Sequence, residues 1–406
     1  MIFSPQGVSD DIAVQSGVHE AETREFISFV DADPRLKFLL EKSLRLAKAA
    51  NPDPRTNPAQ TLEGFYDFLD WSVTCMPWNM LPQAEAVYSP LFDQIAQSLN
   101  YFYFVLDQPL EELEGNGMYY NSLQYVEPFR SWIVRHVANW GSFLSRPESW
   151  NEEYYQKFLA DDHFGLKKDW YESPQNWRTF NDFFSRRLKD ENSRPVAAPN
   201  DDSVVVAGAD SKPQGLWRVD DNSDIVHERP VVIKSKIYNS IRTLLGGGSY
   251  LDAFAGGWMT HSYLNESDYH RYHFPVSGVV REAEVVWQDA DGGGITVWDQ
   301  DEGKYILQDQ NPGWQSLETR GRVIVETGDY GLVAVMPIGM ALVSSVNFEP
   351  SIHPGAAVKK GAPLGWFLFG GSDMVMIFQK CVKFSLDCQV GGHLLMGEKY
   401  GRLAQA

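Results

Sequence analysis

Between residues 35 and 49, Leu36, Leu39, Leu40 and Leu44 recur at helical spacing, while Lys37, Glu41 and Lys48 occupy the remaining surface. That pattern predicts an amphipathic helix. Asn51-Pro52-Asp53-Pro54 ends it, because proline lacks an amide donor and disfavours helical geometry in the residue before it. Similar spacing predicts helices over residues 60–73, 84–105 and 122–144, the last closed by Arg146-Pro147. Trp71, Trp78, Trp132, Trp140 and Trp150 fall in or beside these segments. They read first as core and packing residues, and second as walls of a substrate pocket.

After Arg194-Pro195 the pattern changes to short β-branched runs, at 204–207, 231–234, 279–287, 295–298, 323–326, 332–336, 342–346, 374–378 and 382–386. Gly292-Gly293-Gly294, Pro337 and Gly370-Gly371 punctuate them, which predicts a mostly antiparallel β domain. Helices followed by strands give an α+β fold, divided here into a helical accessory region, 1–174, and a β domain, 175–406. Residues 330–348 carry no charge and approach the length of a membrane span. Gly331, Pro337, Gly339, Ser344, Ser345 and Asn347 break that stretch, so it reads as two buried strands around a Pro-Gly turn.

The chain has 406 residues, 43% hydrophobic and 22% charged, which excludes a disordered, collagen-like or disulfide-stapled protein. Its net charge of −19 argues against nucleic acid or an anionic membrane as its main partner. Cys75, Cys381 and Cys388 form no CxxC pair, so neither a disulfide framework nor a structural zinc site is expected, and no metal ligand set is assigned. The first twenty residues contain Asp10, Asp11 and Glu20 and no apolar run, so no signal peptide is expected and the chain reads as cytoplasmic.

No GxGxxG, GxxxxGK, HExxH or GxSxG pattern occurs. Three segments concentrate reactive side chains among glycines: Ala207-Gly208-Ala209-Asp210-Ser211, Asp268-Tyr269-His270-Arg271-Tyr272-His273-Phe274-Pro275, and Phe369-Gly370-Gly371-Ser372-Asp373. Alone, each has a plain reading: an aspartate-stabilised turn, a surface loop, and a tight glycine turn. Together they supply a serine nucleophile, a histidine base and an aspartate. His353, in Ile352-His353-Pro354-Gly355, reads as a turn residue.

These blocks resemble the phosphatidylserine decarboxylase family, whose members make their own pyruvoyl cofactor. The segment from Asp268 to Pro275, with Gly278 after it, is similar to that family's DYHRxHxP block, and Gly370-Gly371-Ser372 to its processing site. Val358-Lys359-Lys360-Gly361 through Gly365-Trp366-Phe367 matches the lead-in to that site. Thr179-Phe180-Asn181-Asp182-Phe183-Phe184-Ser185-Arg186-Arg187-Leu188 and Arg194-Pro195 match the start of the domain, and Val335 to Met340 fits a further strand segment more loosely. Asp373 departs from the pattern, standing where the family carries Thr or Ser. The aromatic-rich helical region is similar to that of the soluble L-tryptophan decarboxylase branch.

The resemblance implies a pyruvoyl-dependent carboxy-lyase that cleaves itself between Gly371 and Ser372. Ser372 would be the pyruvoyl precursor, His273 the base that takes its proton, and Asp210 the holder of that imidazole. His270 would serve substrate contact or proton delivery, with Tyr272 and Asp373 as further substrate contacts. The expected substrate is a free L-amino acid, aromatic by preference. The two cleavage pieces would stay associated, and a homo-oligomer is compatible with this reading. The alternatives are a phosphatidylserine decarboxylase and a non-catalytic lipoyl-like binding module. A conventional serine hydrolase is disfavoured, because no nucleophile elbow surrounds Ser372.

Overall fold

The leucine spacing near the N-terminus produces the helix Pro34–Ala50, seen in a computed structural model that describes residues 19–114, 121–227, 231–233, 236–288, 294–308, 312–342 and 345–406. Asp33 caps this helix, accepting from the amides of Arg35 and Leu36, and Pro34 takes the first position, where no amide is needed. Leu62–Ser72 follows as expected. The predicted helix 84–105 is two, Ala84–Val87 and Leu91–Phe104, interrupted at Ser89-Pro90. The predicted helix 122–144 is a single 3-10 turn at Leu123–Tyr125 and becomes α-helical only from Phe129, after Pro128. Helices Ala21–Ala32 and Glu152–Ala160 lie outside the predicted set.

The C-terminal half is built from antiparallel sheets, so the chain is α+β. The largest sheet has seven strands, in the order Ala357–Val358, Gly278–Val286, Thr319–Glu326, Leu332–Leu342, Gly370–Phe378, Trp258–Leu264 and Lys212–Arg218. A three-stranded sheet combines Val204–Val206, Lys399–Gln405 and Val382–Leu386, and another combines Asn347–Phe348, Pro363–Trp366 and Arg271–His273. Seven of these strands, Lys212–Arg218, Trp258–Leu264, Arg271–His273, Asn347–Phe348, Ala357–Val358, Pro363–Trp366 and Lys399–Gln405, are absent from the predicted set.

Two expectations about glycine and proline are corrected. No Pro-Gly turn divides residues 330–348, because Leu332–Leu342 runs as one strand through Pro337 and Gly339. Pro337 is tolerated because the ladder to Thr319–Glu326 lapses beside it, with no pairing between Arg320↔Ile338 and Val323↔Val335. Gly321 makes room opposite, since a β-carbon there would meet the Pro337 ring at 2.8 Å. Nor is Gly370-Gly371-Ser372 a tight turn: all three residues open the strand Gly370–Phe378. Parts of the predicted strands 231–234 and 342–346, with Gly292 and Gly293, lie outside the described residues.

One hydrophobic core runs without a break from the helices onto one face of the large sheet, taking in Trp132, Trp140, Phe180, Phe369, Met374 and Met376. The opposite face packs Val375, Ile377 and Ile338 against Trp314, Ile241 and Leu244. The tryptophans Trp78, Trp132 and Trp140 are thus core residues, as their first reading held.

Candidate active site

Ser372 sits inside the large sheet, paired with Gly339 on one side and Leu264 on the other. It is fully buried, and among the described residues its hydroxyl has no hydrogen-bond partner. Gly370 and Gly371 precede it, so neither residue ahead of its nitrogen carries a side chain. Three residues upstream, the Phe369 amide donates to Asn181 Oδ1 at 3.0 Å. Asn181 lies on the short helix Phe180–Phe184, which a reciprocal capping box between Thr179 and Asp182 begins.

His273 ends the strand Arg271–His273 with both ring nitrogens engaged: Nδ1 lies 2.8 Å from the Gly361 carbonyl and Nε2 3.1 Å from the Tyr269 hydroxyl. Gly361 presents that carbonyl from a left-handed conformation, φ +82°, in which a β-carbon would strike Val196. Burial pushes the His273 pKa down to about 4, so its imidazole is neutral at physiological pH. The backbone amide of His273 donates to the Gly208 carbonyl at 2.7 Å. A β-carbon on Gly208 would stand 3.0 Å from the His273 carbonyl and 3.4 Å from the Met374 methyl. Glycine at 208 therefore lets the histidine segment approach the strand that carries Ser372, whose side chain shares a face with Met374.

Asp210 does not hold the imidazole of His273, contrary to expectation. Its carboxylate is taken by Arg194, with Nη2–Oδ2 at 2.8 Å and Nε–Oδ1 at 3.2 Å, and by the Met396 amide at 2.7 Å. Both partners are buried, and the Arg194 guanidinium stacks 3.9 Å from the Trp170 ring. Asp210 reaches His273 only through its field, which favours the protonated ring. His273 does face a cavity of about 460 Å³, lined also by Arg194, Tyr269, Arg271, Lys360 and Met396. The cavity stops short of Ser372.

His270 stacks on Phe184 with ring centroids 3.8 Å apart, and its Nδ1 lies 2.9 Å from the Asp268 carbonyl. Its Nε2 is buried without a partner among the described residues. Burial, reinforced by the nearby Arg186 charge, holds its pKa well below the ordinary histidine value. Phe184 also packs on Phe369, which ties His270 to the segment leading into Ser372. Tyr272, expected to touch substrate, spends its hydroxyl on the Asn347 and Trp366 carbonyls at 2.6 and 3.3 Å, a structural role. Asp373 points to the opposite face of the sheet from Ser372, where Oδ1 lies 3.0 Å from His261 Nε2 and Oδ2 has no partner among the described residues. Burial raises its pKa. His353 sits in a turn as expected, with Nδ1 3.0 Å from the Pro354 carbonyl.

Sequence reasoning missed His261, Arg194 as the partner of Asp210, and the pairing of Asp268 with His393 at 2.8 Å. Arg194 had a signal, its place in the Arg-Pro motif; a lone histidine on an apolar strand had none. The residues do suit a serine-derived pyruvoyl group. Ser372 Oγ, the atom that would become part of that group, is buried without a partner among the described residues, and two glycines precede it.

A buried serine behind two glycines, in a domain that also buries two neutral histidines, defines a candidate self-processing enzyme. Residues 180–402 match the family model described as phosphatidylserine decarboxylase. The chain belongs to that family, which is pyruvoyl-dependent. It is 30% identical over 249 residues to phosphatidylserine decarboxylase proenzyme 2 of Oryza sativa, covering 61% of this chain and 36% of the rice protein. It is 27% identical over 299 residues to the decarboxylase iboD of Amanita muscaria, covering 66% of this chain and 83% of that protein. A Fusobacterium nucleatum phosphatidylserine decarboxylase proenzyme is 24% identical over 313 residues, covering 72% of this chain and 93% of that protein. The chain thus spans about a third of the rice relative and most of the other two. No described helix is long and apolar enough to cross a membrane.

Proposed function

We propose that this chain cleaves its own backbone between Gly371 and Ser372 and then, as a pyruvoyl enzyme, decarboxylates a free L-amino acid, with aromatic side chains preferred. The observation that carries the reading is Ser372 itself: a fully buried hydroxyl, unbonded among the described residues, behind two residues without side chains. Ser372 Oγ attacks the Gly371 carbonyl carbon, and the peptide C–N bond breaks to leave an ester. Loss of the Ser372 α-proton then expels the Gly371 carboxylate, and water replaces the nitrogen at residue 372, releasing ammonia.

His273, neutral at working pH, is the base for the serine proton, a role worth roughly 10²–10⁴ in rate. Reaching Ser372 requires it to exchange its bond to Tyr269 for one to the hydroxyl. Asp210 acts at one remove, by fixing Arg194 and the Met396 backbone beside the His273 cavity. His270, desolvated and with Nε2 free among the described residues, moves a proton at the substrate α-carbon in this reading. The pyruvoyl group supplies the electron-accepting carbonyl that a decarboxylation needs.

Three observations support a free amino acid: the net charge of −19, the aromatic-rich helical region packed onto the Ser372 face, and the 83% coverage of a relative named simply as a decarboxylase. Free Cys75, Cys381 and Cys388 suit the cytoplasm. The rice and Fusobacterium relatives favour a second reading, phosphatidylserine as substrate. Offering the purified protein the twenty amino acids in one arm and phosphatidylserine vesicles in the other separates the two. Tryptamine or a related amine is the expected product, and ethanolamine lipid alone would overturn the first reading. Ser372→Ala should leave one uncut chain and no product in either arm.

A further inference from the structure

His261 and Asp373 form a buried pair that the chemistry above does not use. Asp373 pairs through its backbone with Tyr263, and His261 lies two residues back on the same strand and face, so the contact is a cross-strand diagonal. The His261 ring meets Trp314 edge-on at 5.8 Å, and Val375, Ile377 and Ile338 share that face of the sheet. Apolar side chains of similar volume would hold such a site at least as stably as a buried polar pair. Fold stability alone therefore gives no reason for the pair.

Its position supplies one. Once the Gly371–Ser372 bond is cut, residue 372 is a chain end, and strand ends fray unless tied down. Gly370 and Gly371 stay with the larger piece and have no side chains to hold the end. Asp373 is then the first residue behind the carbonyl that carries an intact side chain, and its partner His261 belongs to the larger piece. We propose that His261 and Asp373 are positioning residues, a clamp across the cut that fixes the new chain end and with it the carbonyl at residue 372. This rests on the self-cleavage reading above.

The test uses the full chain with Asp373→Ala, Asp373→Asn, and the double variant His261→Leu/Asp373→Val, which fills the space with apolar groups and preserves folding. Three quantities are read: the extent of cleavage on a denaturing gel, the rate at which phenylhydrazine labels the small piece, and kcat against KM. The clamp predicts cleavage in all three. In the alanine and double variants it predicts faster phenylhydrazine labelling and a kcat lower by roughly ten- to a hundredfold, with KM little changed. Asp373→Asn, which keeps an oxygen facing His261 Nε2, should recover most of the loss. Wild-type labelling rate and kcat in the double variant would overturn the clamp, as would folded variants that fail to cut. An uncut wild-type chain would overturn the self-cleavage reading, and the clamp with it.

Discussion

His273 is enclosed by Tyr269, the Gly361 carbonyl and the Gly208 backbone, and that enclosure keeps its ring neutral down to about pH 4. In the unfolded chain the same ring takes up a proton near pH 6.5. The folded pKa is depressed, so this contribution to stability is complete above about pH 6.5 and is lost as the pH falls toward 4, at a cost of about 3 kcal/mol. His270 adds to the loss in the same direction. Self-cleavage of freshly synthesised chain, followed on gels between pH 7.5 and 4.5, should therefore show no break near 6.5; a midpoint there would mean the base is a solvated histidine. Gly208→Ala should slow cleavage and cost about 1–2 kcal/mol by forcing its new methyl against the His273 carbonyl, measurable as a shift in urea midpoint. Serine, histidine and aspartate were legible in sequence because glycine-flanked blocks set them apart. The partners of Asp210 and Asp373 were not, since Arg194 lies 16 residues from the one and His261 lies 112 from the other, and sheet pairing alone joins the second pair.

Among the elements, the helix Phe180–Phe184 is short but heavily tied. Thr179 caps it, the Phe180 amide donates to Ser149 Oγ, and Asn181 holds the backbone just ahead of the processing site. Thr179→Ala should cost about 1 kcal/mol in a denaturant titration and, by loosening Asn181, slow cleavage as well. Helices with a clean leucine face were legible because one side of each lies on the core. The strand Leu332–Leu342 was misread because proline and glycine normally mark turns. Here a lapse in the neighbouring ladder and the bare Gly321 absorb Pro337. Gly370-Gly371 misled for the same reason: here the glycines run on as part of the sheet rather than turn the chain.

Across the molecule, the helical and β regions are locked by the hairpin Ile295–Asp299 and Lys304–Gln308. The buried Tyr305 donates through its hydroxyl to the Thr56 carbonyl and accepts from Asn51, while its amide donates to Gln97 Oε1. Tyr305→Phe should lower stability by about 1–2 kcal/mol in thermal unfolding without changing the cleavage site. Residues 372–406 supply an interior strand of the large sheet and two of the three strands in another. Cutting ahead of Ser372 therefore cannot release them without opening the core, and the two pieces should elute together under native conditions. The intact mass of the denatured protein tests the central claim most directly. It should show a piece ending at Gly371 and a piece spanning 372–406 that is lighter by one ammonia than the same segment beginning with serine. A single full-length mass in catalytically active material would contradict the account.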